Sequence, residues 1–132
     1  MTPTNINIFS LNVGMSSSSL AGVISLVQSE RLDLLFLQEI KLSGPEIEAQ
    51  LPGFCAIANI DPECSSKPGS AIAWRSTLPV ENVCPLSAGR LQVARLGPYH
   101  LVNIYSPSGS DKKGKEKISF QMMFFMLFSF AL

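Results

Sequence analysis

The sequence predicts a mixed α/β domain: a βαβ unit followed by an antiparallel meander, with helix on one face of the sheet. Three observations carry this. Alternating and continuous apolar runs flank a helical repeat near the start. Short apolar stretches follow, separated by Pro, Gly and Ser. The length, 132 residues, suits one domain and is short for two.

Asn5–Val13 places Ile6 and Ile8, then Leu11 and Val13, at two-residue spacing, the signature of a strand. The serine run Ser16–Ser19 offers an N-cap, since a serine hydroxyl accepts from unpaired first-turn amides. Leu20, Val23, Ile24 and Val27 then fall on one helical face, reaching about Glu30. Leu32–Gln38 is nearly continuously apolar and reads as a strand buried on both faces. Strand, helix, strand in about 30 residues is a parallel βαβ unit.

Downstream, residues 53–57, 70–74, 91–96 and 99–105 read as strands, with Leu96-Gly97-Pro98-Tyr99 as a tight hairpin. The last twelve residues differ. Residues 121–132 hold four of the eight phenylalanines and three of the five methionines. Only Ser129 interrupts the apolar run from Met122. A bilayer-spanning helix needs roughly 20 apolar residues, so membrane association of this tail is not expected. It reads as a buried element, an interfacial tail, or sequence unrelated to the rest.

Composition narrows the function classes. Hydrophobic residues are 46% of the chain and ten basic residues cancel ten acidic ones, which excludes wholesale disorder and a strongly basic nucleic-acid clamp. Cys55, Cys64 and Cys84 cannot all pair and lack metal-ligand spacing. With no basic stretch leading an early apolar run, an intracellular protein of the nucleus or cytoplasm is expected.

Three polar residues share one placement. Asn12 comes near the end of the first strand, Glu39 just after the buried run, and Tyr105 at the end of the last strand before Ser106-Pro107. Ligands of α/β sheets bind in the crevice at strand ends. A carboxylate following a buried run is costly unless paired, and a hard cation such as Mg²⁺ pairs it. Each residue alone is commonplace; the combination is the signal.

Ser10-Leu11-Asn12-Val13, Leu37-Gln38-Glu39-Ile40-Lys41-Leu42 and Val102-Asn103-Ile104-Tyr105-Ser106-Pro107-Ser108 resemble motifs of the endonuclease/exonuclease/phosphatase superfamily. Within it they are most similar to the endonuclease domain of LINE-type retrotransposons. Gly69-Ser70-Ala71 resembles that family's Gly-x-Ala strand. The resemblance implies a DNase I-like layered α/β sandwich and Mg²⁺-dependent nicking of DNA by phosphodiester hydrolysis. It assigns Glu39 as metal ligand, and Asn12 and Tyr105 as catalytic residues that orient the site and contact the scissile phosphate. Lys112, Lys113 and Lys115, in a Gly/Ser-rich loop with Lys117, are candidate DNA phosphate contacts. No small-molecule cofactor is implied.

The departures define the second expectation. The family's Gly-Asp-x-Asn and Ser-Asp-His elements have no counterpart, since the aspartates are Asp33, Asp61 and Asp111 and the one histidine is His100. Alternation sets His100 on the strand face opposite Tyr105, a structural position. With one carboxylate ligand and no general base, the chain is expected to be inactive or nearly so. Residues 1–120 read as the first half of an incomplete domain, and 121–132 as an unrelated tail. The chain should supply mostly one of the family's two sheets. Roughly 1,000 Å² of uncovered apolar face would forfeit about 25 kcal/mol, against about 5–15 kcal/mol of total domain stability. The alternatives are another phosphodiesterase or phosphatase of the superfamily, or a non-catalytic interaction module that works through its hydrophobic tail.

Overall fold

The computed structural model describes residues 5–14, 20–63 and 67–106, and the backbone of 122–129. Its elements are β1 (Ile8–Asn12), α1 (Ala21–Ser29), β2 (Leu34–Ile40), α2 (Gly44–Gln50), β3 (Phe54–Asn59), β4 (Gly69–Arg75), β5 (Val80–Ser87), β6 (Leu91–Leu96), β7 (Tyr99–Ser106) and β8 (Met122–Ser129). As the periodicity predicts, β1 and β2 pair in parallel with α1 between them. Every other strand pair is antiparallel.

The strands form two four-stranded sheets, β1-β2-β4-β3 and β5-β6-β7-β8, rather than mostly one. This corrects the expectation of a single mixed sheet with a bare apolar face. β2 and β4 are apolar on both sides, so the first sheet needs a cover on each. On one side Leu35, Leu37, Ala71 and Ala73 pack with Leu20 and Val23 around α1, and with Ile47 and Leu51 around α2. On the other, Leu34, Phe36 and Ile72 meet Ala94, Leu96 and Leu101 of the second sheet. The layers run helices, first sheet, second sheet.

Local chemistry explains several boundaries. The N-cap of α1 is Leu20, not a serine, and no side chain caps it; residues 15–19 lie outside the described residues. Leu20 is buried, so docking into the core fixes this helix start. Its amide instead donates to Gln50 Oε1 at 2.8 Å. The seven-residue α2 escaped the sequence reading although its start is well marked. Ser43 Oγ accepts from the Glu46 amide while Glu46 Oε1 accepts from the Ser43 amide, and Pro45 opens the first turn.

β5 also escaped it. It is an irregular edge strand with two register shifts, Pro85 and mostly exposed residues, so it carries little apolar alternation. The hairpin at Leu96–Tyr99 forms as expected, with Gly97 at φ +59° in the first turn position. Residues 122–129 form a strand paired with β7 from Ser106↔Met122 to Tyr99↔Ser129. Cys55 and Cys84 are free thiols, and Cys64 lies outside the described residues. Among the described residues no helix is long and apolar enough to cross a membrane.

Phe36 is the largest fully buried side chain between the sheets. Phe36→Ala should cost about 3–5 kcal/mol through the cavity it leaves. Leu86→Ala, at a side chain 64% exposed, should stay within about 0.5 kcal/mol. Urea unfolding of both variants checks the pair; equal effects would refute the inter-sheet core.

Candidate functional site at the Glu39 bulge

Strand alternation fixes where each residue of β2 points, up to one interruption. Leu34 and Phe36 face the second sheet, and so does Gln38, whose amide reaches Asn103 of β7. Leu35 and Leu37 face the helices. Past residue 39 the parity flips, because Ile40 and Leu42 join the helix-side core. The flip is a β-bulge: Gln38 pairs with Ser70 and Ile40 with Gly69, so that Glu39 is the inserted residue of the register shift.

Glu39 takes φ 55° at this point. Left-handed backbone costs a non-glycine residue on the order of 1 kcal/mol, and it persists where surrounding structure imposes it. Regular alternation would drive this carboxylate into the helix-side core, at far greater cost. The bulge turns it to the inter-sheet edge instead. Opposite, Gly69 is required by close approach, since a Cβ there would collide with the Asn59 carbonyl. The sequence reading ended the strand at Gln38 with Glu39 beyond it. The strand in fact runs to Ile40 and contains Glu39.

Tyr105 meets this carboxylate from the other sheet. Leu101, Asn103 and Tyr105 form the inner face of β7, and Tyr105 is 3% exposed. Its hydroxyl donates a hydrogen bond to Glu39. Burial pushes the phenol up to about 12, and the Glu39 charge and hydrogen bond push the same way, opposed by Arg90. The phenol therefore stays a proton donor through the neutral range. Its amide donates to the Arg90 carbonyl at 2.8 Å, which fixes the end of β7 against the turn before β6.

Asn12 stands one strand away, paired in register with Gln38 at the end of β1. Its Oδ1 accepts from the Gly14 amide at 2.8 Å, closing the turn out of β1. The structure thus brings Glu39 and Tyr105 into contact and sets Asn12 at the same strand end. His100 lies on the face of β7 opposite Tyr105, as expected. Lys112, Lys113 and Lys115 lie outside the described residues.

Sequence reasoning missed the residues behind this contact. Gln38 Nε2 donates to Ser10 Oγ and Asn103 Oδ1, both at 3.0 Å. Asn103 Nδ2 in turn donates to the Ala71 carbonyl at 3.0 Å. Both amides are fully buried and join the sheets immediately behind Glu39 and Tyr105. Their available signal was polarity at inward positions of otherwise apolar strands. Arg90, in a turn, gave none.

Other acids are engaged elsewhere. Asp33 precedes β2, at the opposite end from Glu39, where its Oδ1 lies 3.4 Å from Arg75 Nε and its Oδ2 accepts from the Asn7 amide. Asp61 accepts from the Glu63 amide. Among the described residues no three His, Cys, Asp or Glu side chains gather as a metal cluster. No protein-family model matches the chain, and no curated protein is significantly similar to it.

The coupling of Tyr105 to Glu39 has a pH signature. Its folded pKa of about 12 exceeds the ordinary 10.0, so the stabilisation is fully present below about pH 10 and is lost as pH rises through the folded value. Phenolate absorbance should show a late step that Tyr105→Phe removes and Glu39→Gln moves to lower pH. A profile unchanged in Tyr105→Phe would refute the contact.

Proposed function

We propose that the Asn12–Glu39–Tyr105 corner is the metal- and phosphate-handling part of a Mg²⁺-dependent phosphodiesterase acting on DNA, of the kind the LINE-type endonucleases represent. One observation carries the reading: a strained bulge delivers a carboxylate to a buried tyrosine hydroxyl 66 positions away in the chain. Strain kept at a polar strand end is a mark of functional sites. Two sheets packed face to face, with helices outside the first, also agree with a DNase I-like sandwich.

A hard cation is the ion that oxygen ligands of this kind would take. The Glu39 carboxylate and the Asn12 amide oxygen are hard oxygen ligands, and Mg²⁺ ordinarily completes such a set with water and substrate phosphate. When bound, the cation would offset charge building on the phosphoryl and leaving oxygens. Tyr105 contributes a preorganised donor, protonated at neutral pH, for a phosphate oxygen. It has one proton to give, so phosphate and Glu39 compete for it. Neutralising Glu39 weakens its hold and frees the hydroxyl for phosphate. Lys112, Lys113 and Lys115 would add salt-sensitive contacts to the DNA backbone.

Among the described residues no base stands ready to activate water at this corner, because His100 faces away and Asp33 is held at the far strand end. Nicking of supercoiled plasmid by this chain is therefore expected at or near background.

The decisive measurements are thermal stability with and without Mg²⁺ or Mn²⁺, and plasmid nicking, for the parent chain, Glu39→Gln and Glu39→Ala. A cation at 100 times its dissociation constant should stabilise the parent by about 2.7 kcal/mol, and both variants should lose that gain. Nicking that survives Glu39→Ala, or a parent chain indifferent to both cations, overturns the reading.

A further inference from the structure

Asn59 ends β3 on the first sheet, yet its side chain serves a turn of the second. The residue is 4% exposed. Its Nδ2 donates to the Ser87 carbonyl at 2.9 Å and to the Leu91 carbonyl at 3.1 Å. Its Oδ1 accepts from the Gly89 amide at 3.0 Å. An asparagine side chain has two N–H donors and one carbonyl oxygen, and here all of them go to one turn. Ser87 is the last residue of β5 and Leu91 the first of β6, so the side chain spans the whole connection.

The turn has internal support of its own. The Arg90 amide donates to the Ser87 carbonyl at 3.1 Å, and Gly89 supplies a left-handed residue at φ +74°. What Asn59 adds is a fixed relation between this turn and the first sheet. The consequence falls on β7. The Arg90 carbonyl accepts from the Tyr105 amide at 2.8 Å, so the segment that Asn59 clamps is the one that holds the Tyr105 backbone.

The other end of the path leads to Glu39. Asn59 pairs in register with Ser70, and Ser70 with Gln38, in one row across β3, β4 and β2. Glu39 follows Gln38 at the bulge. The contacts close a circuit: from Glu39 along this row to Asn59, through the turn to Arg90, on to Tyr105, and back by the phenol hydroxyl. Gln38 ties β7 to the first sheet at Asn103, two residues before Tyr105. The Asn59 clamp ties β6, the neighbour of β7, to the same row.

We infer that Asn59 is a positioning residue for the corner: by fixing the β5–β6 turn against the first sheet, it sets where Tyr105 delivers its hydroxyl to Glu39. A hydrogen bond weakens steeply as its angle closes, so a small shift of the turn is felt at the hydroxyl. The role serves chemistry only if the corner handles phosphate as proposed above. The measurements that test it use neither cation nor DNA, so they can fail while that reading stands, and the reverse.

The chain has two tyrosines, Tyr99 and Tyr105. Labelling with 3-fluorotyrosine therefore gives two fluorine resonances, which Tyr105→Phe assigns. Glu39→Gln should move the Tyr105 resonance and so mark loss of the carboxylate contact. Asn59→Ala should move it in the same direction, leave Tyr99 in place and retain the circular dichroism. Leu78→Ala weakens the inter-sheet core beside Arg75 and controls for lost stability; it should leave the resonance where it was. A Tyr105 resonance indifferent to Glu39→Gln or Asn59→Ala, or moved equally by Leu78→Ala, overturns the inference. Should Asn59→Ala fail to fold, amide exchange of the parent chain decides. The Gly89 and Tyr105 amides should open together, with matching protection. A Gly89 amide that exchanges freely while Tyr105 stays protected overturns the inference, because the clamp then does not hold Tyr105.

Discussion

A strand buried on both faces has no indifferent position for a charge. Residues 34–38 of β2 are fully enclosed, with helices on one side and the second sheet on the other. Glutamate placed next in such a strand has two regular options, and each buries a carboxylate in apolar surroundings at several kcal/mol. A bulge is the third. It costs one left-handed residue, flips the parity of everything after it, and moves the carboxylate to the edge of the inter-sheet space. Ile40 and Leu42 reach the helix-side core only because of that flip. The packing of α2 and the contact with Tyr105 thus follow from the same backbone event.

Polar groups between the sheets then set how the layers align. Gln38 and Asn103 bridge them at one point; Gln92 reaches the Ile57 carbonyl at 2.8 Å, and Asn59 holds the Ser87 and Leu91 carbonyls at 2.9 and 3.1 Å. Apolar contacts tolerate sliding, whereas a buried amide that loses its partner costs about 1–3 kcal/mol. Sheets shifted by one residue pair would break all of these bonds. Gln38 Oε1, Gln92 Oε1 and Ser70 Oγ are buried between the layers with no hydrogen-bond partner among the described residues. Registry is what brings two sheets' side chains to one corner.

What could be read from the amino-acid order follows from what periodicity encodes. The β1-α1-β2 unit was legible because its apolar spacing changes from two, to three and four, to continuous. Periodicity reports which face of a strand is buried but not which sheet the strand joins, so the division after β4 was not legible. β5 was hidden because an edge strand with Pro85 has little to bury. α2 was hidden by its length, although Ser43, Pro45 and Glu46 mark its start. Glu39 and Tyr105 were grouped by their placement at strand ends and by resemblance to a family, whereas the bulge that joins them left no glycine at position 39 to announce it. Asn12 closes a turn while standing beside Gln38.

The corner and β8 share β7 but draw on different sides of it. Tyr105 is opposite Met123 in the β7–β8 register. Its amide, however, points the other way, to the Arg90 carbonyl, and its hydroxyl leaves the sheet for Glu39. Asn103, two residues earlier, is likewise anchored across the sheets to Gln38 and Ala71. Displacing β8 by one residue would exchange β8's own faces and leave each of these bonds in place. Tyr105 is therefore positioned by β6 and β2, and pairing at the β8 edge can vary without moving the hydroxyl that Glu39 receives.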